Sequence, residues 1–219
     1  VKRVNYQGDI GPHVAKCLWA LLQQPLRTPP KEQMASLWLA ELYATGHKAN
    51  EEDPKAAAEI REVNKKIYAG DPALRELWEE TRRWCLEDFE KLYQRFGITF
   101  DRLYFESEVE ERAKKIAREL VEEGVLKESQ GAIIADLTDQ KLDVLVIITG
   151  DGAPLYGAKD LALAELKARE FPRLIRSIHV VAHEQEFYFK QWIDFCTYYI
   201  NCCNTWKLDI FRDNWTASL

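Results

Sequence analysis

The sequence predicts an α/β chain that carries an all-helical insertion. Three observations predict it. Strand-like apolar segments alternate with helical periodicity over most of the chain, residues 51–97 carry helical periodicity alone, and polar glycine-bearing turns follow several strands. Such turns lie where open α/β sheets place their ligands.

The elements follow in order. Residues 1–6 alternate as a short strand, residues 7–11 form a turn, and Pro12 suits a first helical position. Val14, Cys17, Leu18, Leu21 and Leu22 then have helical spacing, broken by residues 25–30. Met34, Leu37, Trp38, Glu41 and Leu42 begin a second helix, expected to end near Gly46. Ile60, Val63 and Ile67 mark a third, and Asp71-Pro72 opens a fourth. That helix carries Leu74, Leu77, Trp78, Cys85, Phe89, Leu92, Tyr93 and Phe96 at three-and-four spacing, with Gly97 placed to cap it. Residues 98–105 read as a strand, and Ser107-Glu-Val-Glu110 as a capping box opening a helix to about Gly124. Residues 131–135 and 144–148 look like a hairpin. A helix over 155–169, a strand over 175–182 and a helix from Gln185 complete the pattern. This is the pattern of a mononucleotide-binding, Rossmann-like domain. It divides into the first part of the core (1–44), a helical insertion (45–97), the rest of the core (98–191) and an atypical tail (192–219).

Composition bounds the function. With 47% hydrophobic and 30% charged residues in a chain of 219, a folded globular protein is expected. No apolar run approaches the roughly 20 residues of a membrane helix, and no basic-then-apolar leader argues for secretion. Cys17, Cys85, Cys196, Cys202 and Cys203 are odd in number and lack Cys-x-x-Cys spacing, so reduced thiols in the cytoplasm are expected. Asn214-Trp215-Thr216 reads as a chance glycosylation match. A net charge of −6 argues against an overall basic surface, although a local basic stripe can coexist with it. No Walker or Gly-x-Gly-x-x-Gly loop occurs, and no nucleophile signature. His13, His47, His179 and His183 lack zinc-enzyme spacing and read as structural or surface residues, with no metal site expected. Because the first residues already read as a strand, the chain reads as an internal piece of a longer protein.

Three polar segments remain: residues 5–11, residues 150–160, and residues 182–189. Each alone could be ordinary turn chemistry. Together, and in this order, they resemble the catalytic domain of arginyl-tRNA synthetases, a class I family. Arg3-Val4-Asn5-Tyr6-Gln7-Gly8-Asp9-Ile10-Gly11 matches that family's R-V-N-Y-x-G-D-x-G. Phe100-Asp101 and Glu106-Ser107 match a following strand and helix start. Asp151-Gly152-Ala153-Pro154-Leu155-Tyr156 with Asp160 matches D-G-x-P-L-Y-x-x-x-D, and Val180-Val181, Gln185 and Phe189 match a late strand and its sequel. The resemblance spans residues 1–191.

The resemblance implies an arginine–tRNA ligase, with arginine, ATP (with Mg2+) and tRNA(Arg) as partners, no tightly bound cofactor, and a cytoplasmic monomer. It assigns arginine binding to Tyr156, Asp160 and Gln185. The physics agrees, because a carboxylate grips a planar guanidinium through two parallel hydrogen bonds. Tyr156 and Asp160, four apart on a helix, project from one face. The alternatives are a core aromatic for Tyr156 and an exposed helix charge for Asp160. Asn5, Asp9 and His13 would line the adenylate or tRNA-end side, although Asp9 and Gly11 could equally shape the turn and cap a helix.

The chain also departs from the family pattern. Neither ATP signature, His-x-Gly-His or Met-Ser-x-x-Lys, is in the chain, so catalytic residues are unassigned and the chain alone is expected not to form arginyl-adenylate. Tyr188 stands where the family usually has histidine, and Gly157-Ala158-Lys159 replaces Leu-Thr-Arg. The tail is crowded with Cys, Asn, Trp and Tyr and is expected to pack poorly. Two alternatives stay open: a non-catalytic arginine- or protein-binding module derived from such an enzyme, and a class I synthetase for another amino acid. Asp160 disfavours an apolar one, since an unpaired carboxylate is costly to bury.

Overall fold

The computed structural model describes residues 1–197, and these form two compact units, Val1–Ser107 and a second beginning at Glu108. The first contains β1 (Val4–Gln7), α1 (Pro12–Leu22), α2 (Ala35–Glu52), α3 (Pro54–Tyr68), α4 (Pro72–Phe96) and β2 (Arg102–Phe105). β1 and β2 pair in parallel, from Val4 opposite Arg102 to Gln7 opposite Phe105. Parallel neighbours require a crossover connection, and the four helices supply it. Their apolar stripes meet in a core that includes Ala15, Leu18, Leu21, Leu39, Leu42, Ile60, Val63 and Trp84.

Two of these helices start on local signals. Asp53 and Asp71 accept the N–H groups of Lys55 and Ala73, each 2.8 Å away, ahead of Pro54 and Pro72. Gly97 ends α4 at φ 65°, as its spacing predicts. α2 starts where expected, just after Met34, but differs at its far end. At its start Met34 offers no capping group, and Asp88 of α4 accepts the Ser36 N–H instead at 2.9 Å. That bond, more than Lys91 beside it, holds the Asp88 carboxyl below its ordinary range. At the other end α2 runs past Gly46 to Glu52. Gly46 is a crossing point rather than a stop: a Cβ there would lie 2.1 Å from the Lys16 carbonyl oxygen of α1.

The second unit comprises most of α5 (Glu106–Glu122), then β3 (Lys127–Ser129), β4 (Ala132–Asp136), β5 (Val144–Ile148), α6 (Tyr156–Glu170) and α7 (Glu186–Phe195). The expected hairpin is present, β4 antiparallel to β5, and β3 adds to it as a third strand. Lys127-Glu-Ser129 has no apolar alternation to announce a strand. It is brought into register by a two-residue turn, Gln130 and Gly131, both with positive φ (51° and 80°). Val109, Ala113, Ile116, Leu120, Leu137, Ile147 and Leu161 are buried in this unit.

Two expectations fail here. Residues 175–182 form no strand: among the described residues no ladder partner satisfies their β propensity, and Ile175, Ile178 and Val180 are 86%, 78% and 95% exposed. The tail does not pack poorly where it is described, since Trp192, Phe195 and Cys196 are buried. Residues 198–219, including Cys202, Cys203, Trp206 and Trp215, lie outside the described residues. No helix among the described residues is long and apolar enough to cross a membrane.

Candidate functional site

The segment after β5 is a tight turn built on Thr149. Its hydroxyl accepts the Ala153 N–H at 3.1 Å and donates to Asp151, while Gly152 N–H bonds the Thr149 carbonyl at 2.9 Å. Pro154 bridges back to Ile148, and Leu155 N–H bonds the Ile147 carbonyl at 2.9 Å. The Asp-Gly-Ala-Pro run therefore acts as a bracket that aims the start of α6.

Tyr156 opens that helix and is 65% exposed, and Asp160 follows one turn later. α7 brings Tyr188 to both. Its hydroxyl donates to Asp160 Oδ2, and its ring stands edge-on to Tyr156 with centroids 6.2 Å apart. The result is a half-buried carboxylate flanked by two phenols. Gln185 is exposed at the end of the turn His183–Gln185, just before α7. The Tyr156–Asp160–Tyr188 contacts do not include it.

Lys167, two turns beyond Asp160, is buried and donates to Ser177 Oγ at 3.0 Å and toward His179 Nε2 at 3.5 Å. Burial lowers the Lys167 ammonium, and the negative charge of Asp160 opposes that shift. Burial, and then the Lys167 charge, push His179 down to about 4, so it is neutral at pH 7. It packs against Phe189 and Trp192, with centroids at 5.4 and 5.9 Å. Of the four histidines this one has the structural role the sequence suggests. Burial also raises the Cys196 thiol, which makes it a poor nucleophile.

The residues expected on the adenylate or tRNA-end side lie in the first unit. Asn5 donates to the Tyr93 hydroxyl at 2.9 Å, and His13 is exposed with Nε2 3.3 Å from the Gly8 carbonyl. Asp9 is 7% exposed and heavily committed. Oδ1 accepts the Ser107 N–H at 2.9 Å, while Oδ2 accepts the Ser107 hydroxyl at 2.7 Å and Arg82 Nη1 at 2.8 Å. The presumed capping box thus works differently: Ser107 is already inside α5, and its N–H is capped from afar by Asp9. Arg82 is held over Trp78 and Phe105, 4.4 and 4.9 Å from the ring centroids. Asp9 and His13 also border a cavity of about 370 Å³ walled mainly by apolar groups, among them Val14, Trp78, Phe89 and Phe105. Cys17, on its wall, is pushed up to about 12 by burial and by Cys85 nearby. No cluster of three or more metal-ligating side chains occurs among the described residues.

Sequence reasoning missed Tyr188 as a partner of Asp160, Arg82 as the partner of Asp9, and Lys167 beneath the site. Spacing on α6 could have suggested Lys167, seven residues from Asp160. Nothing local marks the other two.

A parallel strand pair joined across helices, with polar turns at strand ends, is the form of a mononucleotide-binding α/β domain. The chain belongs to the family of class I tRNA synthetases (R), catalytic domain, whose family model matches residues 1–201. Among its relatives, an arginine–tRNA ligase of Bdellovibrio bacteriovorus is 33% identical over 193 residues, covering 85% of this chain and 33% of the relative. One of Treponema denticola is 35% identical over 195 residues, covering 87% and 33%. The chain thus spans about a third of the length of these curated relatives. Among solved structures, arginyl-tRNA synthetase from Plasmodium falciparum superposes with a TM-score of 0.64 at 22% identity, covering 90% of this chain and 33% of that one. That from Thermus thermophilus gives 0.52 at 23%, covering 73% and 28%. These likenesses show the fold.

Proposed function

We propose that the chain carries the arginine-side pocket of an arginine–tRNA ligase, formed by Tyr156, Asp160 and Gln185. The observation that supports this most directly is the acid between two phenols at the start of α6: Asp160, bonded by Tyr188, with Tyr156 alongside. A planar monocation is the ligand such a group suits. The carboxylate supplies charge and two acceptors, and aromatic walls favour a flat, weakly hydrated cation.

In the whole enzyme the arginine carboxylate attacks the α-phosphorus of ATP, which enters with Mg2+ as the substrate. Pyrophosphate leaves, and arginine then passes to the terminal ribose of tRNA(Arg). Asn5 and His13 are offered for the adenylate or tRNA-end side; His13 is exposed and accessible to a ligand, while Asn5 is half-buried with its amide on Tyr93. Asp9 belongs there as the tie that holds the turn between β1 and α1. The ATP signatures lie outside this sequence, so the chain alone does not turn arginine over. We place the full enzyme in the cytoplasm, as a monomer.

Calorimetric titration with arginine tests the pocket. The chain should bind, and Asp160→Ala should weaken binding by about 2–5 kcal/mol, the cost of removing one partner of a hydrogen-bonded charge pair. Equal affinities in the two would remove Asp160 from this role.

A further inference from the structure

The residue that closes on Asp160 is one to which the arginine reading gives no role of its own. Tyr188 sits on α7, 28 residues away in sequence, and reaches across so that its hydroxyl donates to Asp160 Oδ2. Its ring is fixed on two sides, edge-on to Tyr156 at 6.2 Å and to Phe189 at 5.0 Å, with Phe189 itself buried. A phenol held in this way leaves the carboxylate little freedom to turn. It is also neutral, so the bond it donates orients the acid without cancelling its charge. A lysine or arginine in its place would orient the acid and neutralise it together.

We propose that Tyr188 is a positioning residue for the incoming amino-acid side chain: it locks the plane of the Asp160 carboxylate toward Tyr156, so that a guanidinium meets an acid already aligned for paired hydrogen bonds. This rests on the arginine reading above and deepens it. Preorganisation lowers the ordering cost at the moment of binding, and hydrogen bonds to charged groups are among the stronger ones. α7 thereby enters recognition through a residue that touches the acid rather than the ligand's charge.

The test uses the whole chain, titrated with arginine by calorimetry, together with urea unfolding without ligand. Tyr188→Phe keeps the ring and removes the donor; affinity should fall roughly tenfold or more. Tyr188→His, which keeps a ring donor, should recover most of it. In unfolding, Tyr188→Phe should lower the folding equilibrium in the native background but have little effect on an Asp160→Ala background, because the two groups act as a pair. Affinity that is unchanged or tightened in Tyr188→Phe overturns the inference, the latter by showing the phenol to be a plug. Equal effects of Tyr188→Phe in both backgrounds also overturn it, since they would mean packing alone. If wild type does not bind arginine, the arginine reading itself falls and takes this inference with it. If wild type binds and Asp160→Ala does not, while Tyr188→Phe matches wild type, only the inference falls.

Discussion

Gly46→Ala sets two principles of opposite sign against each other. In an exposed helix, replacing glycine by alanine stabilises by about 1 kcal/mol, because the unfolded chain loses freedom and the helix gains a better former. At residue 46 the new Cβ would lie 2.1 Å from the Lys16 carbonyl oxygen, 2.7 Å from its carbon and 3.2 Å from its Cα. All three are main-chain atoms, so no rotamer change relieves the contact. α1 would have to withdraw by roughly 1 Å to restore normal van der Waals separation. It is anchored by Ala15, Leu18 and Leu21, each essentially fully buried. Overpacking of this kind costs about 1–3 kcal/mol and occasionally more, and an immovable backbone obstacle belongs at the upper end. After the propensity gain is subtracted, a net loss of about 2 kcal/mol is expected. With a urea slope of about 1–3 kcal/mol per molar, the midpoint should fall by about 1 M. Tryptophan fluorescence would follow it, since Trp38 and Trp84 lie 6.4 Å apart in the same core. A midpoint that stays put or rises would refute the reasoning, because propensity would then outweigh the crossing.

Other expectations follow from named contacts. Asp9→Asn should destabilise the chain by about 1–3 kcal/mol, since it leaves Arg82 without its ion pair and weakens the cap on Ser107; a thermal melt matching wild type would count against it. His179 should make stability acid-sensitive. Its folded value, pushed down to about 4, lies below the ordinary 6.5, so the unfolded chain takes up the proton first as pH falls. Its contribution is therefore complete above pH about 6.5 and is lost between there and pH 4, to a limit of about 3 kcal/mol at 1.36 kcal/mol per pH unit. His179→Gln should flatten that stretch of the stability–pH curve, and an unchanged curve in the variant would assign the slope elsewhere.

Legibility in the sequence followed the range of the interaction. α4 was readable from its start because its cap, Asp71, stands two residues from the N–H group it accepts, and Asp53 caps α3 at the same short range. The starts of α2 and α5 were placed within a residue, but their caps were not legible, because Asp88 and Asp9 supply them from 52 and 98 residues away. Gly46 carries the same letter whether it ends a helix or lets another helix approach, and only the crossing with α1 decides. Residues 175–182 have the composition of a strand, but a strand is a relation between segments and no described segment answers it. The site divides in the same way. Tyr156 and Asp160 share one helical turn and could be paired on paper, whereas Tyr188 arrives from a separate helix.

Asp9 and Asp160 show why the motif alone could not rank the site residues. Both are acids beside glycine-bearing turns, and both fall within stretches that match one family. Their surroundings differ in the quantity that matters for a cationic ligand. Asp9 is buried, its two oxygens take three hydrogen bonds, and one of these comes from a guanidinium clamped over two aromatic rings. To receive a substrate it would have to release Arg82, leaving a charge in a place where desolvation is expensive. Asp160 is half-buried, and the phenol bonded to it carries no charge to be displaced. An acid paired with an arginine in its own fold acts as a structural tie. An acid oriented by a neutral phenol keeps more of its attraction for a cation from outside, and that difference, more than the letters around either residue, favours α6 over the end of β1 for the proposed arginine recognition.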